Sequence, residues 1–470
     1  MCGRFVGRVK RRVQLTVWVA AWAGASTSVL AQGAARTLTI GDAIELARRN
    51  YPALRESRAR AAAAGQTVGV ARTAYLPRLD MLWQANRATR NNVFGLLLPQ
   101  AIVPPISGPV LGITSDDSVW GSAAGMLLSW QAVDFGVRKA NVDVARAQTS
   151  AASAQAEVAE LDVAAAAADA FLTVLAADEA VAAARANVDR LQVFADAVRT
   201  LVRNQLRPGA DQSRADAELA IAKNQLSQAI QTADIARATL ANAIGLAGTA
   251  IQPDAGSLSA VPELPPPAGA DVQAHPAVRA ESAAVETVRA RERALDRSYL
   301  PHIDVQAALA GRGTGAEVPG QPRLGNGLSL HVPNWALGVT VTFPALDLLT
   351  ARARRRVEVQ NELAARAHYD QIVQNVTTQD ARARALMAAA AEIARNTPVE
   401  RQAAIDAESR ARARYSSGLA PITEVAEAQR LLAQAEADDA VARLGVWRAL
   451  LAAAQARGDL TLFMEKIGER

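Results

Sequence analysis

Asn50-Tyr-Pro-Ala-Leu-Arg55 returns as Ala274-His-Pro-Ala-Val-Arg279, and Tyr75-Leu-Pro-Arg-Leu-Asp80 returns as Tyr299-Leu-Pro-His-Ile-Asp304, both 224 residues further on. Two motifs at one offset mark a duplication. Val133-Asp-Phe-Gly136 then pairs with Leu346-Asp-Leu-Leu349 at 213 residues, and the turn after Arg203 pairs with the turn after Arg414 at 211, so the second copy is shorter. A period above 200 residues is too long for a solenoid and indicates two similar halves of one architecture. The halves are read as 32–262 and 263–470, joined by the Pro-rich stretch 261–268 and preceded by a leader at 1–31.

Within each half the order is helix, strand, long loop, strand, very long helix, tight turn, helix. One helix is expected over 39–74, with Pro77 marking its end because the residue before a proline avoids the α region. In the second half Leu337, Val339, Val341 and Phe343 alternate with Gly338, Thr340 and Thr342, which is the period of a strand with one apolar and one small or polar face. Such a strand suits lipid on one side and water on the other. The stretches 136–202 and 351–414 predict rods of roughly 95 to 100 Å at 1.5 Å per residue, longer than a globular core accommodates. Apolar seams at 3-4 spacing, through Val181, Val188, Leu191, Ala195 and Val198 and again through Leu219, Ala222, Leu226 and Leu240, make antiparallel coiled-coil partners of the helices on either side of the first turn. The run Arg352-Ala-Arg-Arg-Arg356 is read as a solvated face.

The chain of 470 residues carries a formal charge of +5, which first suggests a nucleic-acid partner. Residues 1–31 hold Arg4, Arg8, Lys10, Arg11 and Arg12 and no acid; removing these five from 51 bases leaves 46, equal to the 46 acids. The footprint for nucleic acid disappears. That leader is basic, then apolar for about a dozen residues, and ends in Val29-Leu30-Ala31, the pattern of a cleaved signal peptide and too short to span a bilayer. Cys2 is lost with it, so neither disulfides nor thiolate metal sites are expected. The uncharged segment 91–115 is broken by Pro99, Pro104, Pro105 and Pro109 and reads as a loop. Closed β-strands are then the remaining way for this exported chain to enter a membrane, which points to a bacterial outer membrane. Trp83, Trp120, Trp130 and Trp335 fall in or beside the expected strands, where they form either a membrane girdle or the packing of a soluble β-core. Four strands are too few to close a barrel.

The chemistry-bearing residues do not assemble into a catalytic or cofactor site. His275, His302, His331 and His368 share no metal-ligand spacing, and Gly311-Arg-Gly-Thr-Gly315 opens no helix and reads as an exposed loop. No nucleophile elbow occurs, so no catalytic residue, metal or cofactor is assigned.

Taken in order, Thr37-Leu-Thr-Ile-Gly-Asp-Ala-Ile-Glu-Leu-Ala-Arg-Arg-Asn-Tyr-Pro-Ala-Leu-Arg55, Tyr75-Leu-Pro-Arg-Leu-Asp80, Val133-Asp-Phe-Gly136 and Arg414-Tyr-Ser-Ser-Gly-Leu419 resemble the opening helix, strand entry, strand exit and helix-hairpin tip of the TolC family of outer-membrane efflux proteins. The resemblance runs from Thr37 to Gly458. It implies a mainly α fold with a membrane β-barrel portion, in which a homotrimer contributes four strands per protomer to a 12-stranded barrel above a periplasmic tunnel of helices. It further implies a passive exit duct that docks on a periplasmic adaptor and is energised by an inner-membrane pump. A periplasmic structural coiled-coil or adaptor protein is the alternative. Drug, metal and polypeptide cargo all remain open.

Three site readings follow from the resemblance. The strand-connecting loops 91–117 and 311–334 would be extracellular. The adaptor-docking tips would be Arg207, Pro208 and Gly209 in the first half and Gly418, Leu419 and Ala420 in the second, with Gly209 and Gly418 allowing the tight turns. The pore gate would comprise Glu424 and Glu427 with Tyr415, whose counterpart in the first half is expected to be Ser213, giving a neutral hydrogen bond. The two glutamates, three residues apart on one helix face, also suit a solvated first turn that complements the helix dipole.

Overall fold

The computed structural model describes residues 36–89, 116–263, 269–315 and 326–468. The leader at 1–31, residues 264–268 of the linker and nearly all of the loop at 91–117 lie outside them. The described residues open with strand β1 (Arg36–Leu38) and helix α1 (Ile40–Asn50), whose N-terminus is closed by a reciprocal cap between Thr39 and Asp42. The single helix expected over 39–74 is two helices, α1 and α2 (Pro52–Thr73). Pro52 lacks an N–H and holds Tyr51 in an extended conformation at φ −64°, ψ 123°, so the first helix stops there.

β2 (Arg78–Thr89) and β3 (Ser118–Val133) follow, then α3 (Val137–Arg203), α4 (Gly209–Ala243) and the short strand β4 (Ile251–Pro253). α5 (Pro276–Arg297), β5 (His302–Thr314), β6 (Val332–Thr342), α6 (Asp347–Ser416), α7 (Ile422–Arg457) and α8 (Thr461–Gly468) complete the described chain. α3 has 67 residues and α6 has 70, so each is roughly 100 Å long. Near the sheet they are flanked by α2 and α5, and along the remainder by α4 and α7.

β2, β3, β5 and β6 form one antiparallel sheet in that order, leaving β2 and β6 as its edges. The expected loop at 311–334 is shorter than its sequence suggests, because Gly311–Thr314 continues β5 and Val332–Asn334 begins β6. Glycine here serves close backbone approach: a Cβ on Gly313 would stand 2.1 Å from the Ser329 carbonyl oxygen.

The main core lies about 50 Å from the sheet along α3. There Phe171, Leu172 and Val174 bury against Ile44, Leu240, Trp447 and Phe463. Trp447 donates its indole N–H to the Ala260 carbonyl at 3.0 Å and meets Phe463 edge-on. β1 pairs in parallel with β4 beside this core. Farther along, the α3–α4 seam closes through Leu191, Ala195 and Val198 against Ala215, Leu219 and Ala222, small side chains that let the two backbones approach.

Candidate functional site

The two faces of the sheet differ in chemistry. Register places Leu79, Met81 and Trp83 of β2, Met126, Leu128 and Trp130 of β3, Leu309 of β5 and Trp335, Leu337, Val339 and Val341 of β6 on one face, all exposed. The opposite face carries Asp80, Gln84 and Asn86, Ser129 and Gln131, Asp304 and Gln306, then Asn334, Gly338, Thr340 and Thr342. Apolar side chains outward and polar or small ones inward is the arrangement of a membrane strand. Trp120 and Trp130 mark the two ends of β3, one beneath the Arg87 guanidinium at 5.7 Å and the other donating to the Tyr75 carbonyl at 3.1 Å. Trp83 and Trp335 stand opposite Ala124 and Leu309, in register between those ends.

At the far end of the rods two helix hairpins meet. Each long helix ends in the same pair of bonds: Gln205 N–H to Val202 O and Leu206 N–H to Leu201 O in the first, Gly418 N–H to Tyr415 O and Leu419 N–H to Arg414 O in the second. This turn requires one left-handed residue. In the second tip it is Gly418, at φ 79°; in the first it is Gln205, at φ 61°, and not Gly209, which is already the first residue of α4. The expectation that Gly209 makes the first turn is therefore corrected. Leu206 and Leu419, which follow the left-handed residues, are both exposed, whereas Ala420 is buried. Pro208 is exposed and Arg207 is half-buried, because its side chain folds across to the other tip.

Tyr415 is the centre of that crossing. Only 2% exposed, it packs against Phe194 with ring centroids 5.6 Å apart, and the Arg207 guanidinium lies 4.4 Å over its ring while also donating to its carbonyl oxygen. Its hydroxyl donates to the Asp211 carboxylate at 3.0 Å. The partner is thus Asp211 and not Ser213, whose hydroxyl turns back to the Gly209 carbonyl. Asp211 and Ser213 are two positions apart on α4 and so differ by about 200° in direction, and only one of the pair can face Tyr415. Burial, reinforced by the bond to Asp211, pushes the Tyr415 phenol up to about 12, so it stays a donor throughout the physiological range. On the first turn of α7, Glu424 pairs with Arg414 at 3.2 Å, while Glu427, one turn on, is exposed and has no hydrogen-bond or ion-pair partner among the described residues.

The family model described as outer membrane efflux protein matches residues 43–246. No curated protein matches the sequence. Among solved structures, the fold is similar to that of CusC, with a TM-score of 0.74 at 15% identity over 89% of this chain and 92% of that one. It is similar to the Campylobacter jejuni CmeC outer membrane channel, TM-score 0.71 at 15% identity, over 92% and 88% of the two chains. It is similar also to the open state of the Neisseria gonorrhoeae MtrE outer membrane channel, TM-score 0.69 at 20% identity, over 89% of each.

Proposed function

From a chain that carries the outer membrane efflux family match and has the fold of TolC-family channels, we propose that this protein is the outer-membrane exit duct of an efflux or secretion assembly. Three copies would close one barrel of 12 strands, the β6 edge of each pairing with the β2 edge of the next, and their long helices would enclose a tunnel through the periplasm. The observation that carries this reading is the four-stranded sheet with two free edges, an apolar outer face and a polar inner one. An open sheet edge is not tolerated in lipid, so a membrane location demands further copies. The dimensions agree: the ten residue steps from Trp120 to Trp130 cover about 34 Å of strand, or roughly 26 Å of membrane normal at a 40° tilt, close to the apolar band of outer-membrane barrels. On this reading all four tryptophans lie on or near the lipid face, with Trp120 and Trp130 at its two interfaces, and the two halves of the chain are a duplication.

The same reading makes the duct passive, energised by an inner-membrane pump through a periplasmic adaptor. The exposed Leu206 and Leu419 at the tips are the residues best placed for that adaptor, and the gate lies beside them at Tyr415, Glu424 and Glu427. The Tyr415–Asp211 bond joins the two hairpins of one protomer, so release of this bond is the local step by which the tips part. Separation of membranes from periplasm tests the reading. The expected result is the mature chain in the outer-membrane fraction, forming conducting pores in planar bilayers; a soluble periplasmic protein without pore activity would favour the coiled-coil adaptor instead.

A further inference from the structure

Where the sheet passes into the helices, a groove of about 350 Å³ opens between the start of α3 and the end of α5. Its upper rim is Phe135, which is 54% exposed. Trp130 pairs with Val305 and, across the bulge, Val133 pairs with Ile303, which keeps Val133 on the apolar outer face; the strand ends there, and Phe135 follows two residues on in a left-handed turn at φ 47°. The groove therefore begins where the lipid-facing surface ends. Its walls carry Lys139, Arg293 and Arg297. Neither Lys139 nor Arg297 has a side-chain partner among the described residues, and Arg293 pairs only with Glu286, at 2.6 Å. The two acids of the groove are already engaged: Asp143 with Arg146 at 3.0 Å, and Asp296 with Arg355 at 3.1 Å, Arg355 coming from the basic run on α6. Positive charge is left in excess directly under an exposed aromatic ring.

We propose that this groove binds the phosphate head group of an anionic phospholipid from the periplasmic leaflet of the outer membrane. Lys139, Arg293 and Arg297 would hold the phosphodiester, with the guanidinium groups offering paired donors to its oxygens. Phe135 would sit at the glycerol level and the acyl chains would run up the apolar face of β3 and β5. The groove lies between two helices of one protomer and needs no residue of a neighbouring copy. The inference rests on the reading that the sheet crosses the outer membrane.

The test uses the full chain reconstituted into vesicles of equal parts phosphatidylglycerol and phosphatidylcholine, then extracted and weighed by native mass spectrometry to identify the lipids retained. The wild type is expected to retain phosphatidylglycerol selectively. Each basic residue contributes roughly fivefold, so Lys139→Gln, Arg293→Gln and Arg297→Gln together should reduce that enrichment at least tenfold. Lys139→Arg with Arg293→Lys and Arg297→Lys should restore most of it, short of the paired donors that only guanidinium supplies, which separates charge from folding. Equal retention of both lipids by the wild type, or undiminished enrichment in the triple Gln variant, overturns the proposal. If inorganic phosphate strips the bound lipid and binds equally well without vesicles, the groove is a free-anion site and the lipid assignment fails. Failure to insert into vesicles counts against the membrane reading itself, whereas insertion without enrichment counts against this inference alone.

Discussion

Tyr415 joins two hairpins through one charge-assisted hydrogen bond, and Tyr415→Phe removes that bond while keeping the ring under Arg207 and against Phe194. A hydrogen bond to a charged acceptor contributes about 1.5 to 3 kcal/mol, so the equilibrium between joined and parted tips should move roughly 10- to 100-fold toward parted. Single-channel recording checks this: larger or more frequent open levels are expected in the variant, and wild-type conductance would place the gate elsewhere. Tyr415 was legible from the motif Arg414-Tyr-Ser-Ser-Gly-Leu419, and its aspartate partner was not. Matching the two halves by spacing pointed to Ser213, but the direction a side chain takes from the first turn of a helix is set by the turn before it, and the first tip turns at Gln205 in place of a glycine. A glutamine in the left-handed region carries a cost of about 1 to 2 kcal/mol and no sequence signature. Arg207 was read as docking surface for the same reason, since nothing in the linear chain shows that it folds over Tyr415.

At the scale of elements, the break between α1 and α2 and the start of α5 use the same X-Pro device, and at the second of these the residue is a titratable one. His275 caps α5 by accepting the Ala277 N–H on Nδ1 at 3.1 Å, and its Nε2 lies 3.2 Å from the Gln455 carbonyl near the end of α7. Both bonds are satisfied together only by the neutral ring with its proton on Nε2. Burial lowers the His275 pKa below 6.5, while burial raises that of nearby Asp162 above 3.8. For a depressed histidine the stabilisation is complete above pH 6.5 and is lost as pH falls through the folded value; the Asp162 contribution has the opposite sign, its burial cost being relieved as pH falls through its raised folded value toward 3.8. Thermal melts at pH 7.5 and 5.5 should therefore show a loss on acidification in the wild type, of about 1 kcal/mol for a lost cap. His275→Gln should flatten that dependence, and an unchanged slope would rule the histidine out. The strands and long helices were legible because period 2 and 3-4 spacing persist over many residues, as in Leu337 to Phe343 and Val181 to Val198. β1 and β4 were not, because three residues carry no period.

For the whole molecule, the proposed threefold symmetry would turn single side chains into rings. Glu424 and Glu427 of three copies would place six carboxylates at the tunnel end, with Glu424 partly neutralised by Arg414 and Glu427 unpaired, so Glu427 should dominate. Replacing both by Ala should lower cation selectivity and block by multivalent cations in bilayers, Glu427→Ala alone accounting for most of the change; unaltered selectivity would mean that the two face solvent outside the pore. The need for further copies was legible in the strand count, since four strands cannot close, but their number came from resemblance because no single chain encodes its own symmetry partner. The proposed barrel, tunnel and gate rings all depend on that number. The most direct measurement is the native mass of the particle extracted from outer membranes. Three copies of the processed chain are predicted, with the conductance following the intact particle; a single copy, or a ring of any other number, would contradict closure of one barrel by three sheets.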